Sequence, residues 1–175
     1  AGMTAAIEAS RGGRPVILFE KNNRLGRKLY LTGKGRCNIT NACPASDFID
    51  RIPCNNKFLR SAFSQFDNVA LIEYMEGLGV PLAVEQGMRI FPASGKSSDV
   101  IRALEREVRR AGVRVMLGTA VSALRIRGGA VEAVEDWRGG THPCAAVIVA
   151  TGGLSYPATG STGDGYRIAQ ALGHT

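Results

Sequence analysis

The chain has 175 residues and a mass of 18.6 kDa, which is the length of one domain or of one domain with a small insertion. Hydrophobic residues make up 45% and charged residues 21%, which excludes a disordered chain, a collagen and a coiled coil. The formal net charge of +7 favours anionic partners, among them nucleic acid, phosphate-bearing cofactors and membrane surfaces.

The N-terminal part of the chain predicts a helix, a strand and a glycine-rich loop, in that order. A helical pattern covers residues 3–9 and ends at a pair of glycines. The apolar run 15–19, followed by Glu20, is typical of a strand buried on both faces. Residues 25–41 are rich in glycine, lysine and arginine, and they indicate a loop with a short turn of helix.

The middle of the chain predicts helices and one hairpin. Residues 45–79 have a helical spacing of apolar side chains, and residues 80–91 indicate a hairpin around a Gln-Gly pair. Ser98 is expected to cap a helix over residues 99–111, with the intervening arginines on a solvated face. The apolar side chains of this helix share one face, namely Val100, Leu104, Val108 and Ala111.

The C-terminal part of the chain predicts mainly strands. Residues 113–117 form one strand, and residues 121–127 and 130–137 form a hairpin around two glycines. A third antiparallel strand is expected from Thr141. The apolar run 146–150 is typical of a buried parallel strand.

Strands and helices alternate on both sides of a helical insert, which predicts an α/β fold with a doubly wound, Rossmann-like sheet and an antiparallel β-meander. We assign residues 1–41 and 92–175 to the Rossmann-like domain, and residues 42–91 to a helical and hairpin insertion. The chain begins inside a helical pattern and stops just after another. We therefore expect it to be a fragment of a longer protein, truncated at both ends.

Cysteine and histidine content bears on compartment and metal binding. The four cysteines form no CxxC pair and no secretory signal precedes them, which favours a reducing cytoplasm. With only two histidines in the chain, we expect no metal site. We also expect no membrane span, because the longest apolar run, residues 144–150, is far shorter than the ~20 residues that a spanning helix needs.

Half of a dinucleotide-binding motif is present near the N-terminus. Such a βαβ unit needs a small residue where its helix crosses the strand, a glycine turn, an apolar second strand and an acid at that strand's end. Gly2, Gly13, Val16 and Glu20 have the spacing for these roles. The acid matters because a carboxylate accepts hydrogen bonds from both hydroxyls of an adenosine ribose.

Three further segments combine glycines with polar groups. In the basic loop 25–41, successive backbone N–H groups can point at an anion, and lysine and arginine side chains add positive charge. Thr151, Gly152 and Gly153 follow directly after the last predicted strand, where ligands of open α/β sheets bind. Residues 156–166, rich in Gly, Ser and Thr, then lead into a helix whose N-terminus suits an anion or a hydroxyl.

These motifs together resemble the two-dinucleotide-binding-domain flavoproteins, and more closely the BaiN/RdsA-type, aminoacetone-oxidase-like family of bacterial NAD(P)/FAD-dependent flavoproteins. The resemblance implies FAD as cofactor, with NAD(P)H as the possible electron donor and a small-molecule substrate. We also expect no nucleic-acid partner. It rests on the strings EKN from Glu20, LGRK from Leu25, TGKGRCNITN from Thr32, RIFP from Arg89, ATGG from Ala150 and TGSTGDGY from Thr159.

The resemblance also implies which residues contact FAD. Gly2 would lie under the pyrophosphate, Glu20 would bind the adenosine ribose, and Val121 would contact adenine through its backbone. Asp164 matches an aspartate associated with FAD in fumarate-reductase-like relatives. The other residues expected at the cofactor are Lys21, Arg27, Lys28, Thr32, Gly33, Gly35, Arg36, Cys37, Asn38, Thr151, Gly152 and Gly153. We name no catalytic residue, because the flavin itself carries the hydride.

Two other functions stay open at this level. The positive charge would also suit a nucleic-acid-binding module, although aromatic residues make up only 6% of the chain and none interleave with the basic loop. The same fold would also suit a non-catalytic nucleotide sensor. Because the family continues into further segments, we expect the isolated chain to bind FAD weakly or to be unstable, and to be inactive alone.

Overall fold

A computed structural model describes residues 1–174 of the chain and divides into two compact units. The first unit contains Ala1–Lys28 together with the chain from Glu105 onward, and the second contains Leu29–Leu104. The predicted domain boundaries after residues 41 and 91 stay a prediction. Thr175, the last residue of the predicted Rossmann-like domain, lies outside the described residues.

The elements follow the predicted order closely. The helices are α1 (Gly2–Ser10), α2 (Arg27–Leu31), α3 (Ala45–Asp50), α4 (Asn56–Gln65), α5 (Asn68–Gly77), α6 (Ser97–Arg110) and α7 (Asp164–Ala171). The strands are β1 (Ile17–Glu20), β2 (Thr40–Asn41), β3 (Leu82–Glu85), β4 (Arg89–Pro92), β5 (Arg114–Leu117), β6 (Val121–Arg127), β7 (Ala130–Asp136) and β8 (Thr141–Pro143). Short 3-10 helices lie at Thr32–Gly35, Gln86–Met88 and Pro157–Thr159.

The first unit combines a parallel strand pair with an antiparallel meander. β1 pairs with β5 in parallel, and α1 packs against β1 with Ile7 almost fully buried. β6, β7 and β8 form an antiparallel sheet in that order. The hairpin between β6 and β7 turns at Gly128 and Gly129, whose positive φ angles of 58° and 79° suit the right-handed twist of the flanking strands. These sheets confirm the α/β, Rossmann-like class with an antiparallel β-meander.

The second unit contains the predicted helical and hairpin segment. β2, β4 and β3 form an antiparallel sheet, and β3 and β4 are joined by Gln86–Met88 as the Gln-Gly pair predicts. Ile90 and Phe91 of β4 are buried in this unit. The Nδ2 atom of Asn68, which lies at the start of α5, donates to the carbonyls of Asn41 and Cys43, both at 2.8 Å, and so fixes the helix to the chain around β2.

Helix α6 has the amphipathic arrangement that its sequence predicts. Val100, Leu104 and Val108 are buried, and the predicted arginine face is exposed. The predicted cap at Ser98 is wrong, because the helix already begins at Ser97. Ser97 is buried and its hydroxyl donates to the carbonyl of Tyr30 at 3.0 Å, a long-range bond that a local capping rule does not include.

The predicted buried strand over residues 146–150 is corrected by the structure. This stretch pairs with no other strand among the described residues, and Ile148 and Val149 are 64% and 51% exposed. An apolar run satisfies only one requirement of a strand, since its backbone also needs a hydrogen-bonded neighbour. In the described part of the chain, the neighbour of β1 is β5 instead.

No helix among residues 1–174 is both long and apolar enough to cross a membrane.

Candidate functional site

Several predicted site residues meet where β1 ends in the first unit. Glu20, the last residue of β1, accepts hydrogen bonds at Oε1 from the backbone N of Asn22 at 2.8 Å and from its Nδ2 at 2.6 Å. The backbone carbonyl of Glu20 accepts from Thr119 N at 3.0 Å. The carboxylate of Glu20 is therefore fixed at the carboxyl end of a parallel strand, where ligands of α/β sheets bind.

Lys21, the next residue, binds the start of α7. Its Nζ lies 2.5 Å from Oδ2 of Asp164 and 2.6 Å from Oγ1 of Thr162. Arg167 pairs with the other oxygen of Asp164. Burial raises the pKa of Asp164, but the hydrogen bonds from Lys21 and Thr162 and the charges of Lys21 and Arg167 outweigh it, so that the pKa is lowered.

The two basic residues of the LGRK string also contact protein groups. Arg27 donates to Oδ1 of Asn22 at 2.9 Å, and Asn22 donates from Nδ2 to the carbonyl of Thr159 at 3.1 Å. Lys28 donates to Oγ of Ser155 at 2.8 Å, with longer contacts to the Ser155 carbonyl at 3.2 Å and to Oγ of Ser161 at 3.4 Å. Together with Lys21, these residues bind the loop 155–163, which we call the glycine–serine loop.

The segment Thr151 to Gly153 packs closely on the same loop. Gly152 has a φ of +73°, and a Cβ on it would lie 3.0 Å from Oγ of Ser161. The N–H of Gly163 donates to the carbonyl of Gly153 at 3.3 Å. A Cβ on Gly165 would lie only 2.5 Å from Oγ1 of Thr151. Small residues at positions 152 and 165 therefore suit the packing against the side chains of Ser161 and Thr151, and the contact of the ATGG and TGDG strings with a cofactor stays a prediction.

The contacts of Gly2 and Val121 do not indicate whether these residues bind a cofactor. Gly2 begins α1, and a Cβ on it would meet Leu18 Cδ1 at 3.5 Å and Ala150 Cβ at 3.8 Å, which are ordinary van der Waals distances. Val121 begins β6, opposite Asp136 of β7. The packing of the described residues therefore does not by itself demand a glycine at position 2.

The predicted TGKGRCN loop lies in the second unit and has an unusual backbone. Gly33, Gly35 and Cys37 all have positive φ angles, of 56°, 86° and 62°. The loop is closed by the N–H of Cys37, which donates to the carbonyl of Thr32 at 2.9 Å. Cys37 is buried, and burial raises the pKa of its thiol, although a hydrogen bond with Thr32 acts in the opposite direction.

The polar side chains of this loop contact the neighbouring hairpin. Arg36 forms an ion pair with Glu85, and its Cζ lies 4.5 Å from the centre of the Phe91 ring. Asn38, with its amide oriented to suit its neighbours, donates to the carbonyls of Thr40 and Ile90 at 3.0 and 3.3 Å. Both side chains thus hold the loop on the β3–β4 hairpin.

The predicted cofactor residues fall into two groups according to unit. The first unit contains Gly2, Glu20, Lys21, Arg27, Lys28, Val121, Thr151, Gly152, Gly153 and Asp164, and the second contains Thr32, Gly33, Gly35, Arg36, Cys37 and Asn38. Within the first unit, hydrogen bonds and close contacts link Glu20, Lys21, Arg27, Lys28, Asp164 and the Thr151–Gly153 segment through the glycine–serine loop.

Sequence reasoning missed the residues that make these links. They are Asn22, Ser155, Thr159, Ser161 and Thr162. All lie in or beside the strings EKN and TGSTGDGY, so the sequence alone shows that these segments are rich in polar residues. The sequence does not show which of these residues pair, because the partners lie more than a hundred positions apart in the chain. Lys21 and Asp164, for example, are separated by 143 positions.

Comparison with protein families supports the resemblance. The family model for the HI0933-like protein Rossmann domain matches residues 1–175. The chain is 35% identical over 177 residues to the 3-dehydro-bile acid delta(4,6)-reductase of Clostridium scindens, a match that covers 99% of this chain and 42% of that protein. It is 30% identical over 177 residues to the ribosomal RNA dihydrouridine synthase of Haemophilus influenzae, covering 99% of this chain and 43% of that protein.

The chain therefore spans less than half the length of the curated relatives that it matches. Among solved structures, the open conformation of a flavocytochrome c3 fumarate reductase matches with a TM-score of 0.68 at 21% identity, covering 99% of this chain and 38% of that one. This likeness shows the fold. The expected absence of a nucleic-acid partner is not supported, because two matching relatives carry ribosomal RNA in their names.

Proposed function

The chain belongs to the HI0933-like Rossmann domain family, and from this premise we propose that it binds FAD and serves a flavin-dependent oxidoreductase. The observation that carries the proposal is the carboxylate of Glu20, which is fixed at the carboxyl end of β1 by Asn22, a residue that also donates to Thr159 of the glycine–serine loop. A carboxylate at this point of a Rossmann-like sheet is the group that binds an adenosine ribose.

The chemistry of these residues fits FAD. An ionised carboxylate offers about four acceptor positions, so the two bonds from Asn22 leave Glu20 able to accept from ribose hydroxyls. Gly152 is exposed and has a positive φ, so its backbone can be approached without an intervening side chain. We propose that Glu20 binds the ribose and that the backbone of Thr151 to Gly153 lines the cofactor.

FAD, when bound, supplies a ring that accepts and passes on a hydride. The residues of this chain bind and orient that cofactor, and we assign none of them a proton-transfer role. We further propose NADH or NADPH as the electron donor and a small molecule as the substrate. Because Cys37, Cys43, Cys54 and Cys144 are all free thiols, we also propose a cytoplasmic location.

A second candidate substrate is a base in ribosomal RNA. It is favoured by the name of the Haemophilus influenzae relative and by helix α4 of the second unit. This helix exposes Lys57 and Arg60 beside Phe58, whose side chain is 86% exposed. Positive side chains next to an exposed aromatic ring form the combination that binds unpaired RNA bases.

The FAD proposal is tested with Glu20→Gln in the full-length natural protein. The amide keeps the size of the side chain but loses the negative charge that accepts ribose hydroxyls, so the Kd for FAD should rise about tenfold. Titration of the FAD-free protein, followed by flavin fluorescence, measures this Kd. Glu132→Gln, at an exposed position of β7 in the same unit, is the matched control and should bind FAD like the wild type.

Wild-type protein that stays colourless after incubation with FAD would refute the proposal, as would a Glu20→Gln variant with unchanged affinity. Addition of NADH or NADPH to the FAD-loaded protein then separates an enzyme from a nucleotide sensor. An enzyme should lose the absorbance of oxidised flavin, whereas a sensor should retain it.

A further inference from the structure

We propose that Lys21 and Asp164 are positioning residues and not FAD ligands: their ion pair holds the glycine–serine loop at the end of β1, where it supports the bound cofactor. The inference rests on the proposed FAD-binding function. It departs from the sequence-based expectation, in which both side chains contact FAD directly.

The first argument is that both side chains are engaged with protein atoms. The ammonium group of Lys21 has three donor positions, of which Asp164 and Thr162 take two at 2.5 and 2.6 Å. Asp164 accepts from Lys21 on one oxygen and from Thr162 and Arg167 on the other. Only one donor position of Lys21 is left for a phosphate, and turning the ammonium group toward a ligand would weaken a partly buried ion pair, in which the two side chains are 25% and 18% exposed.

The second argument is that the ion pair is one of several attachments of the same loop. Thr159 and Ser161 of the loop are buried, with 7% and 4% exposure. Thr159 accepts from Asn22, and Ser161 lies 3.4 Å from the Nζ of Lys28. Residues just after β1 thus hold the loop at both its middle and its end.

The third argument concerns the backbone of the loop. Gly160 and Gly163 have positive φ angles of 102° and 79°, and a Cβ on Gly160 would lie 3.1 Å from Cε of Lys21 and 2.7 Å from Nδ2 of Asn22. Glycine loses more conformational freedom on ordering than any other residue. A loop that the ion pair already orders costs the cofactor less ordering entropy on binding.

The test is a double-mutant cycle in the full-length natural protein, with Lys21→Met, Asp164→Asn and the double variant. If the pair acts as one unit, each single variant should weaken FAD binding about tenfold and the double variant should be no weaker than the singles. Independent contacts to FAD would give losses that multiply, to about a hundredfold in the double variant. Multiplying losses, or unchanged affinity in all three variants, overturns the proposal.

A second readout needs no FAD. Hydrogen exchange of the peptide 155–166 in the FAD-free protein should become faster in both single variants, to the same extent as in the double variant. Arg127→Met and Glu132→Gln, which remove an exposed ion pair of the β6–β7 hairpin, should leave this exchange unchanged. If the wild type binds no FAD, the proposed function fails, and the hydrogen-exchange measurements alone decide whether Lys21 and Asp164 position the loop. Hydrogen exchange that is unchanged in the variants overturns this positioning role.

Discussion

At position 33 a glycine is required for two reasons, the conformation of its backbone and the close packing of the atoms around it. Its φ is +56°, in the left-handed region that side chains with a Cβ disfavour. A Cβ at this position would lie 2.8 Å from the backbone N of Asn38 and 3.1 Å from Cε1 of Phe91. The loop backbone approaches itself at this point, so the added carbon could be accommodated only by moving the main chain.

We therefore predict that Gly33→Ala is more destabilising than Gly87→Ala. Gly87 also has a positive φ, of +74°, but a Cβ there would meet nothing within 4 Å, so its substitution isolates the backbone effect of about 1 kcal/mol. Gly33→Ala should lower the free energy of unfolding by about 2 to 4 kcal/mol, because strain from the contact with Asn38 is added. Urea unfolding of both variants measures the difference, and equal losses would contradict it.

At the scale of elements, the carboxylate of Asp136 holds the second turn of the β-meander, between β7 and β8. Asp136 ends β7, is buried, and accepts at Oδ1 from the backbone N of Arg138 at 2.8 Å and of Gly140 at 3.0 Å. Its Oδ2 lies 2.8 Å from Nε2 of His142 on β8. The ring of His142 in turn packs edge-on against Phe19 of β1, with ring centres 5.0 Å apart. Asp136 thus connects the turn with the last strand of the meander, and His142 extends this connection to the parallel pair.

This arrangement makes a pH-dependent contribution to stability. The hydrogen bond with His142 is the largest influence that lowers the pKa of Asp136, and it outweighs the opposing effect of burial, assisted by the backbone N–H groups of Arg138 and Gly140. Because the folded pKa is lower than the unfolded one, the contribution is complete above the ordinary aspartate pKa of about 4 and is lost as the pH falls through the folded value.

We predict that Asp136→Asn is less stable than the wild type above about pH 5, and that the gap narrows below about pH 4. Urea unfolding at a series of pH values from about 6 to 3 measures this gap. Asp50→Asn, at an exposed position at the end of α3, is the control and should show no such convergence. A gap that stays constant with pH would show that the charge of Asp136 contributes nothing.

At the scale of the whole molecule, the excess of positive charge bears on the choice between the two candidate substrates. The net charge is +7, and part of it lies on α4, where Lys57 and Arg60 are exposed beside Phe58. A general positive charge attracts any anion, whereas a specific RNA surface depends on particular side chains. General attraction and a specific RNA surface therefore predict different losses of RNA affinity when the same number of positive charges is removed from different helices.

If the substrate is a ribosomal RNA base, the double variant Lys57→Ala with Arg60→Ala should weaken binding of a ribosomal RNA hairpin more than Arg109→Ala with Arg110→Ala on α6. It should also reduce the slope of log K against log salt by about 1.5, because two phosphate contacts are lost. Phe58→Ala should weaken binding about tenfold or more without changing the slope. Equal effects of the two charge pairs in a salt titration would instead indicate non-specific attraction.

Much of the fold and some of the site could be predicted from local pattern. The buried face of α6, the β6–β7 hairpin and the β3–β4 hairpin follow from periodicity and turn residues, since each depends on neighbours within a few positions. Glu20 was also placed correctly, at the end of its strand. Local pattern does not show whether an extended apolar run has a neighbouring strand to pair with. Residues 146–150 are for this reason predicted as a buried strand, which the described part of the chain does not form.

The sequence by itself determined the class of fold, the family and the positions of the glycine-rich turns, because these depend on residue type and spacing along the chain. Only the tertiary structure decided what the charged residues of those turns contact. Lys21 meets Asp164 across 143 positions, and Arg36 meets Glu85 across 49. Charge attracts any opposite charge within reach, and which charges come within reach is set by how the strands and loops pack.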